Sequence, residues 1–197
     1  MDRRTINNQF RTLGDPAPSV AEREAPTIQA DVSYTTLAEA RQEVLRCLAL
    51  YGLEGKMAQV TVAWSARAVR RRGSCSYKRL GGAIRIELSA KLWSSLEPEE
   101  RRNTIRHEAA HAVDFLKNGR SDHSYRWKAI AVRVGARPAA CTASSEKTLA
   151  HMKAIGAAVE IKCACRTSTC SRRVAKRILA GQRYTCRVCC GPVEVVR

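Results

Sequence analysis

The chain has 197 residues, with 35 Lys and Arg against 18 Asp and Glu, so its formal net charge is +17. An apolar fraction of 45% is enough to build a core, which excludes a wholly disordered chain. The charge favours a polyanionic partner such as nucleic acid. No run of about eighteen apolar residues is present, which excludes a membrane-spanning helix, and the N-terminus lacks the apolar stretch of a secretory signal. We therefore expect a cytoplasmic protein with no membrane partner.

The predicted elements follow one another as helices and short strands. Residues 1–33 show no periodicity and predict a flexible N-terminal arm. A capping box at Thr36 and Glu39 predicts a helix that ends near Gly52. Three strands, which we interpret as an antiparallel meander, are expected at residues 60–64, 74–77 and 83–88. Further helices are predicted at residues 98–117, 124–134 and 145–155, followed by a strand at 159–162. The pattern predicts an α+β fold in which a small antiparallel sheet packs on helices.

The most specific motif is His107-Glu108-Ala109-Ala110-His111, within the helix predicted from Pro98. Four residues turn a helix by about 400°, so His107 and His111 lie on one face, one turn apart. Two imidazoles in this arrangement can bind one Zn²⁺, and Glu108 can take a proton from metal-bound water as a general base. The alternative is a surface helix that carries two histidines and a carboxylate without a metal.

A catalytic zinc usually has a third protein ligand. We favour His123, which follows the predicted Asn118-Gly119 turn and precedes the next helix. Asp114 and Asp122 are the alternative ligands or acceptors for an imidazole N–H, and His151 is expected to be solvated. The metzincin pattern requires Gly at 114 and His at 117, where this chain has Asp114 and Lys117, so the site is a different zincin. Tyr125 is a candidate oxyanion donor, and Trp127 is expected to pack its helix against the sheet.

Cysteines are concentrated near the C-terminal end of the sequence. Cys163, Cys165, Cys186 and Cys189 form two thiolate pairs whose spacing predicts a structural Cys₄ zinc ribbon. Cys170 and Cys190 are alternative ligands, and ordinary free cysteines remain the competing interpretation. Three isolated cysteines are expected to be small core residues: Cys47, Cys75 and Cys141.

Basic residues are clustered in two regions that could contact phosphates. Residues 162–197 contain nine Lys and Arg and a single acid, Glu194. A second block between residues 67 and 79 has no acidic residue within it. The candidate nucleic-acid contacts are Arg70, Arg71, Arg72, Arg172, Arg173, Lys176, Arg177 and Arg183, and Tyr77 and Tyr184 could stack on bases.

Taken in order, the His-Glu-x-x-His helix, His123 and the two cysteine pairs resemble the SprT-like zinc metalloprotease family, which includes the Spartan proteases. The similarity extends to residues 84–89 and covers residues 36 to 197, although Ser124 stands where the family commonly has Gly. The resemblance implies a zincin-like domain followed by a zinc ribbon, a catalytic zinc on His107, His111 and His123, and Glu108 as the base. In the Spartan branch it further implies cleavage of proteins attached to DNA.

From these observations we expect an arm at residues 1–33, a metalloprotease domain at 34–158 and a basic zinc ribbon at 159–197. The leading hypothesis is a zinc-dependent endopeptidase, with one catalytic and one structural zinc, that acts on DNA-associated or DNA-crosslinked proteins. We expect the DNA partner to be single-stranded or structured. Within the cytoplasm, we expect the protein to be associated with the nucleoid or with DNA. The alternatives are a non-catalytic nucleic-acid-binding zinc protein and a peptidase whose charge only improves solubility.

Overall fold

The computed structural model describes residues 33–78, 82–139 and 144–196, which belong to one compact unit. The predicted arm at residues 1–33 therefore lies outside the described residues, apart from Ser33. The first helix, α1 (Leu37–Ala49), confirms the capping-box prediction: the hydroxyl of Thr36 accepts from the backbone N–H of Glu39, and the Glu39 carboxylate accepts from that of Thr36. A 3₁₀ turn at Glu54–Gln59 leads into the sheet.

The first sheet contains β1 (Val60–Ser65), β2 (Gly73–Tyr77) and β3 (Ile84–Ser89) in the order β1-β3-β2. β2 is antiparallel to β3, but β1 is parallel to it. The predicted antiparallel meander is therefore wrong, and the sheet is mixed. β3 takes the centre because its three aliphatic side chains are all buried, which leaves β2 at an edge.

The chain reaches β2 by crossing the end of β3, and Ser89 fixes this crossing. The Ser89 hydroxyl donates to the carbonyl of Ala68 at 2.6 Å, and its backbone N–H donates to the carbonyl of Arg72 at 2.8 Å. The crossing places the arginines at 70–72 beside the start of β2.

The long helix α2 (Pro98–Asn118) begins and ends where the sequence predicts. Pro98 occupies its first turn, and Gly119 ends it in the left-handed conformation at φ 68°. The helix packs against α1 and the sheet through buried apolar residues. A buried ion pair, Arg106 Nε to Glu43 Oε1 at 2.5 Å, ties α2 to α1 next to the predicted metal ligands.

Two shorter helices follow α2. Ser124 is the N-cap of α3 (Tyr125–Arg133), and the hydroxyl of Ser145 caps α4 (Glu146–Ala154). Both confirm the sequence prediction to within two residues. Met152 of α4 joins Leu92 and the alanines that precede the next strand in a small second core.

The C-terminal region is a three-stranded antiparallel sheet with one helix. Strands β4 (Val159–Cys163), β5 (Arg166–Cys170) and β6 (Glu194–Val195) pair in the order β5-β4-β6. The helix α5 (Arg172–Leu179) lies between β5 and β6 in the sequence. Of these elements, only β4 was predicted from the sequence.

None of the helices in the described ranges combines the length and apolar character needed to cross a lipid bilayer.

Candidate metal centre and catalytic cleft

Three imidazoles meet beside α2. The Nε2 atom of His123 lies 3.1 Å from Nε2 of His111 and 3.3 Å from Nε2 of His107. A tetrahedral zinc with Zn–N bonds of about 2.0–2.1 Å holds two ligand nitrogens about 3.3–3.4 Å apart. The donor atoms therefore have the type and spacing that one zinc ion requires.

The short loop between α2 and α3 brings His123 to this position. It turns at Gly119, and Asp122 Oδ1 then accepts the backbone N–H of Ser124 at 2.9 Å, which fixes the start of α3. Asp122 is thus occupied in capping. Asp114 is fully buried and accepts from Nδ2 of Asn118 at 2.7 Å. Among the described residues, the donor group at this place consists of the three histidines without either aspartate.

Burial keeps two of the histidines neutral. It lowers the pKa of His107 to about 4, with a contribution from the neighbouring His123. It lowers the pKa of His111 to about 3, with contributions from both other imidazoles. Neutral imidazole is the form that binds a metal ion. His151 lies elsewhere and is half-exposed, and its ring donates to the carbonyl of Lys91 at 2.6 Å.

Trp127 lies against all three imidazoles. Its ring centroid is 4.5, 4.7 and 5.0 Å from those of His123, His107 and His111, and the side chain is fully buried. The expectation that Trp127 packs α3 against the sheet is therefore wrong, because the indole lies behind the three histidines. The sequence gives little signal of this contact, which depends on how α2 and α3 cross.

Glu108 is buried between α2 and the edge strand β2. A Cβ atom added to Gly73 would lie 3.0 Å from both Cγ and Oε1 of Glu108, so β2 approaches the carboxylate as closely as glycine allows. Burial raises the pKa of Glu108 to about 8, opposed by the charge of Arg71 and a hydrogen bond from the backbone of Cys75. The close approach of Gly73 is another feature that sequence reasoning missed.

These groups line a cleft of about 590 Å³ between β2, α2 and the loop that carries His123. The arginines at 70–72 form one wall. Arg70 and Arg71 are exposed, whereas Arg72 Nη2 pairs with Glu100 Oε1 at 3.0 Å. No acidic residue lies within this block of the sequence, but the fold brings Glu100 to Arg72 and partly neutralises it. Tyr125 is 81% exposed and does not line the cleft, so the structure does not support it as an oxyanion donor.

A second group of metal-binding atoms lies in the C-terminal region. The four sulfurs of Cys163, Cys165, Cys186 and Cys189 lie within 4.8 Å of one another. Cys165 Sγ is 3.5 Å from that of Cys163 and 3.7 Å from that of Cys186, close to the spacing of about 3.8 Å expected for four thiolates on one zinc. These residues fit a closed Cys₄ site.

The surroundings shift the pKa values of these thiols in opposite directions. Backbone N–H groups of Cys189 and Val188 lower the pKa of Cys186 to about 6, which favours the thiolate. The hydrogen bond with Cys163 and the other neighbouring thiols raise the pKa of Cys165 to about 12. Four thiols this close ionise together only when a cation neutralises them.

The remaining cysteines occupy other positions. Cys170 is buried and Cys190 is exposed, and neither belongs to the group of four. Cys47 lies in the core, as expected, whereas Cys75 is half-buried and lines the cleft. Cys141 lies outside the described residues.

The predicted nucleic-acid contacts of the C-terminal region lie mainly on α5. Arg172, Arg173, Lys176 and Arg177 line one groove of about 660 Å³, and Arg183 is exposed in the segment that follows. Tyr184 is half-buried, and Tyr77 stacks on Phe115 with centroids 4.1 Å apart. One face of Tyr77 is therefore already covered.

Comparison with known proteins agrees with the site. A model of the SprT-like family matches residues 37–151, more than half of the chain, and this range includes the three histidines and Glu108. The chain is also similar to the DNA-dependent metalloprotease SPRTN of Xenopus tropicalis, with 35% identity over 69 residues. That match covers 35% of this chain and 16% of the relative, so the chain spans only a small part of the relative's length.

Proposed function

Since the chain belongs to the SprT-like family, we propose that it is a zinc-dependent endopeptidase that cleaves proteins associated with or crosslinked to DNA. The observation that carries this proposal is the convergence of three histidine Nε2 atoms beside the buried carboxylate of Glu108. The similarity to a protein described as a DNA-dependent metalloprotease supports the substrate class.

In this proposal His107, His111 and His123 hold the catalytic zinc. When bound, zinc polarises the scissile carbonyl and lowers the pKa of water. Glu108 accepts the proton of the attacking water on its carboxylate and passes it to the leaving amine. Packing against Gly73 and the hydrogen bond from the Cys75 backbone hold the carboxylate in place. Burial raises the pKa of Glu108, which makes it easier for the carboxyl to hold a proton between the two transfers.

The edge strand β2 is suited to bind the substrate as an extended peptide. The Arg72 carbonyl and the Lys78 N–H both bond toward β3, so the backbone groups of the alternate residues 73, 75 and 77 point the other way. The outward Cys75 N–H already donates to Glu108, so a peptide added to this edge would pass Glu108 and form its main-chain hydrogen bonds with the other outward-facing groups. Because main-chain hydrogen bonds are the same for every sequence, such binding requires an unfolded segment of the target but no particular side chains.

The basic residues are proposed to bind DNA along one continuous surface. Val69, next to the arginines at the cleft, packs on the small core that includes Ala157 and Ala158. The following residue, Val159, pairs with Cys170, which ends β5 just before α5. Burial raises the pKa of the Cys170 thiol, and the charge of nearby Arg70 opposes that rise. Arg70 therefore lies close to Cys170, two residues before the first arginine of α5. The proposed contacts are Arg70, Arg71, Arg72, Arg172, Arg173, Lys176, Arg177 and Arg183, with Arg72 partly neutralised by Glu100.

A structural zinc on the four cysteines completes the proposal. A region this small has too few buried apolar residues to be stable on its own, and a metal cross-link compensates for that. We propose the division into a metalloprotease domain at residues 34–158 and a zinc ribbon at 159–197 on this basis, with residues 1–33 as a separate arm.

The test is cleavage of a DNA-binding protein with and without single-stranded DNA at low salt. The wild type should cleave faster with DNA, and Glu108→Gln should reduce cleavage to background while keeping its zinc and its DNA affinity. Glu54→Gln, at an exposed glutamate far along the chain from the motif, is the matched control and should cleave like the wild type.

The alternative is a non-catalytic nucleic-acid-binding zinc protein, which the basic surface and the cysteine cluster favour. It predicts that the wild type and Glu108→Gln are equally inert while both bind DNA. Cleavage at the same rate with and without DNA would instead indicate a peptidase whose charge serves only solubility.

A further inference from the structure

One loop contacts both ring nitrogens of His111. The hydroxyl of Ser121 lies 2.8 Å from Nδ1 of His111, while Nε2 of His123 lies 3.1 Å from Nε2 of the same ring. Ser121 is half-buried at the wall of the cleft, in the loop that begins at Gly119. The residue that contacts the back of the ring is therefore only two positions from a residue at its front.

The geometry at the front of the ring determines which nitrogen carries the proton. The Nε2 atoms of all three histidines converge, so three N–H hydrogens cannot occupy the space between them. A metal ligand presents a lone pair, and a neutral imidazole then carries its hydrogen on the other nitrogen. Because Nε2 of His111 carries no hydrogen, the ring donates from Nδ1 and the hydroxyl oxygen of Ser121 accepts.

We propose that Ser121 is a positioning residue of the metal centre, acting through His111. Its hydroxyl holds the ring in the tautomer and orientation that direct Nε2 to the metal, and it fastens the loop that carries His123 to α2. This inference rests on the proposed function, because it assumes that the three histidines bind zinc. It assigns to a serine the role that carboxylates and backbone carbonyls often have behind a zinc-bound histidine.

The loop is built to deliver this hydroxyl. Gly119 turns the chain with φ 68°, and the bond from the Ser124 N–H to Asp122 fixes the other end of the loop. Ser121 lies between these two anchors, so its position is set by the backbone and does not depend on a long side chain. Loss of the hydroxyl removes one of the contacts that hold the loop to α2.

The test measures the zinc affinity of the full chain by competition with a chelator. His107→Ala identifies the signal of the histidine site, which that variant lacks. Ser121→Ala should weaken zinc binding at this site about 10- to 100-fold, because it removes the hydrogen-bond partner of His111. Ser121→Thr keeps the hydroxyl, so its zinc affinity should lie within about threefold of the wild type. Ser94→Ala, at an exposed serine in the turn before α2, is the control and should bind as the wild type does.

A spectroscopic readout accompanies the affinity. The zinc-loaded wild type should show a slowly exchanging imidazole N–H at Nδ1 of His111 in ¹H–¹⁵N spectra, and Ser121→Ala should lose it. Equal affinity in Ser121→Ala and wild type would overturn the inference, as would an equal loss in the Ala and Thr variants, because the hydroxyl would then have no role. If the wild type itself shows no zinc at the histidine site, the proposed function fails instead.

Discussion

Replacement of Gly73 by Ala tests how tightly β2 confines Glu108. The new Cβ would lie 3.0 Å from Cγ and Oε1 of Glu108 and 3.0 Å from Cγ2 of Thr104. Ordinary contacts of this kind begin at 3.4 Å, so β2 or the carboxylate must move by a few tenths of an ångström. Neither the Glu108 side chain nor the Thr104 side chain can move freely, because both are buried.

The expected cost follows from that displacement. Overpacking of a well-packed site costs about 1–3 kcal/mol, and each 1.36 kcal/mol lost from transition-state stabilisation lowers the rate about tenfold. We therefore expect Gly73→Ala to reduce kcat/KM for a peptide substrate about 10- to 100-fold, in the range that small misplacements of a catalytic group produce. Zinc content should not change, because the three atoms nearest the added Cβ belong to Glu108 and Thr104 and not to a histidine.

The assay is cleavage of a short peptide in the presence of single-stranded DNA, combined with metal analysis of the same samples. Gly55→Ala is the matched control, because a Cβ at that position meets no atom within 4 Å. If Gly73→Ala cleaves as fast as Gly55→Ala, the packing of β2 does not hold Glu108 and this argument is refuted. If Gly73→Ala loses its zinc, the effect is a general distortion of the site.

Further predictions concern stability, metal binding and DNA binding. Replacing Glu43 by Gln leaves buried Arg106 without a charged partner and should lower the free energy of unfolding by about 3–5 kcal/mol, measured with urea at pH 7. Burial alone would raise the pKa of Glu43, but hydrogen bonds from its arginine partners lower it overall. The contribution of Glu43 to the free energy of unfolding is therefore complete above its unfolded-state pKa and is lost as the pH falls through the lower folded-state pKa. The difference in stability between wild type and variant should shrink at acid pH. Cys186→Ala should lose one zinc by metal analysis while the histidine site keeps its own; loss of both would contradict separate sites. Arg173→Gln should weaken DNA binding and reduce the salt slope by about one, whereas exposed Arg41→Gln on α1 should leave both unchanged.

Local signals in the sequence predicted helices α1 to α4 well. Pro98 and Gly119 define the ends of α2 because they act through their own backbone conformations, and the capping box of α1 involves only residues three apart. The same holds for His107 and His111, whose spacing on a helix fixes their common face. These features do not depend on the rest of the fold.

Contacts between elements could not be predicted in this way. The position of β3 at the centre of the sheet depends on which strand is most deeply buried, and alternation within a strand does not reveal its neighbours. Trp127 and Ser121 reach the histidines only because the loop after α2 folds back on it. Helix α5 was missed because its many arginines and lysines favoured interpretation as a charge cluster, although Ala175 is buried.

The most direct test of the metal centre is the zinc stoichiometry of the full chain and of His123→Ala. Three converging imidazoles and four clustered thiols predict two zinc ions per chain in the wild type. His123→Ala should retain the thiolate-bound zinc. Its histidine site, with one ligand fewer, should bind zinc at least about tenfold more weakly, which corresponds to a loss of about 1.4 kcal/mol of binding free energy. Two ions held with unchanged affinity in His123→Ala would contradict the assignment, because the metal would then not need the residue that the loop delivers.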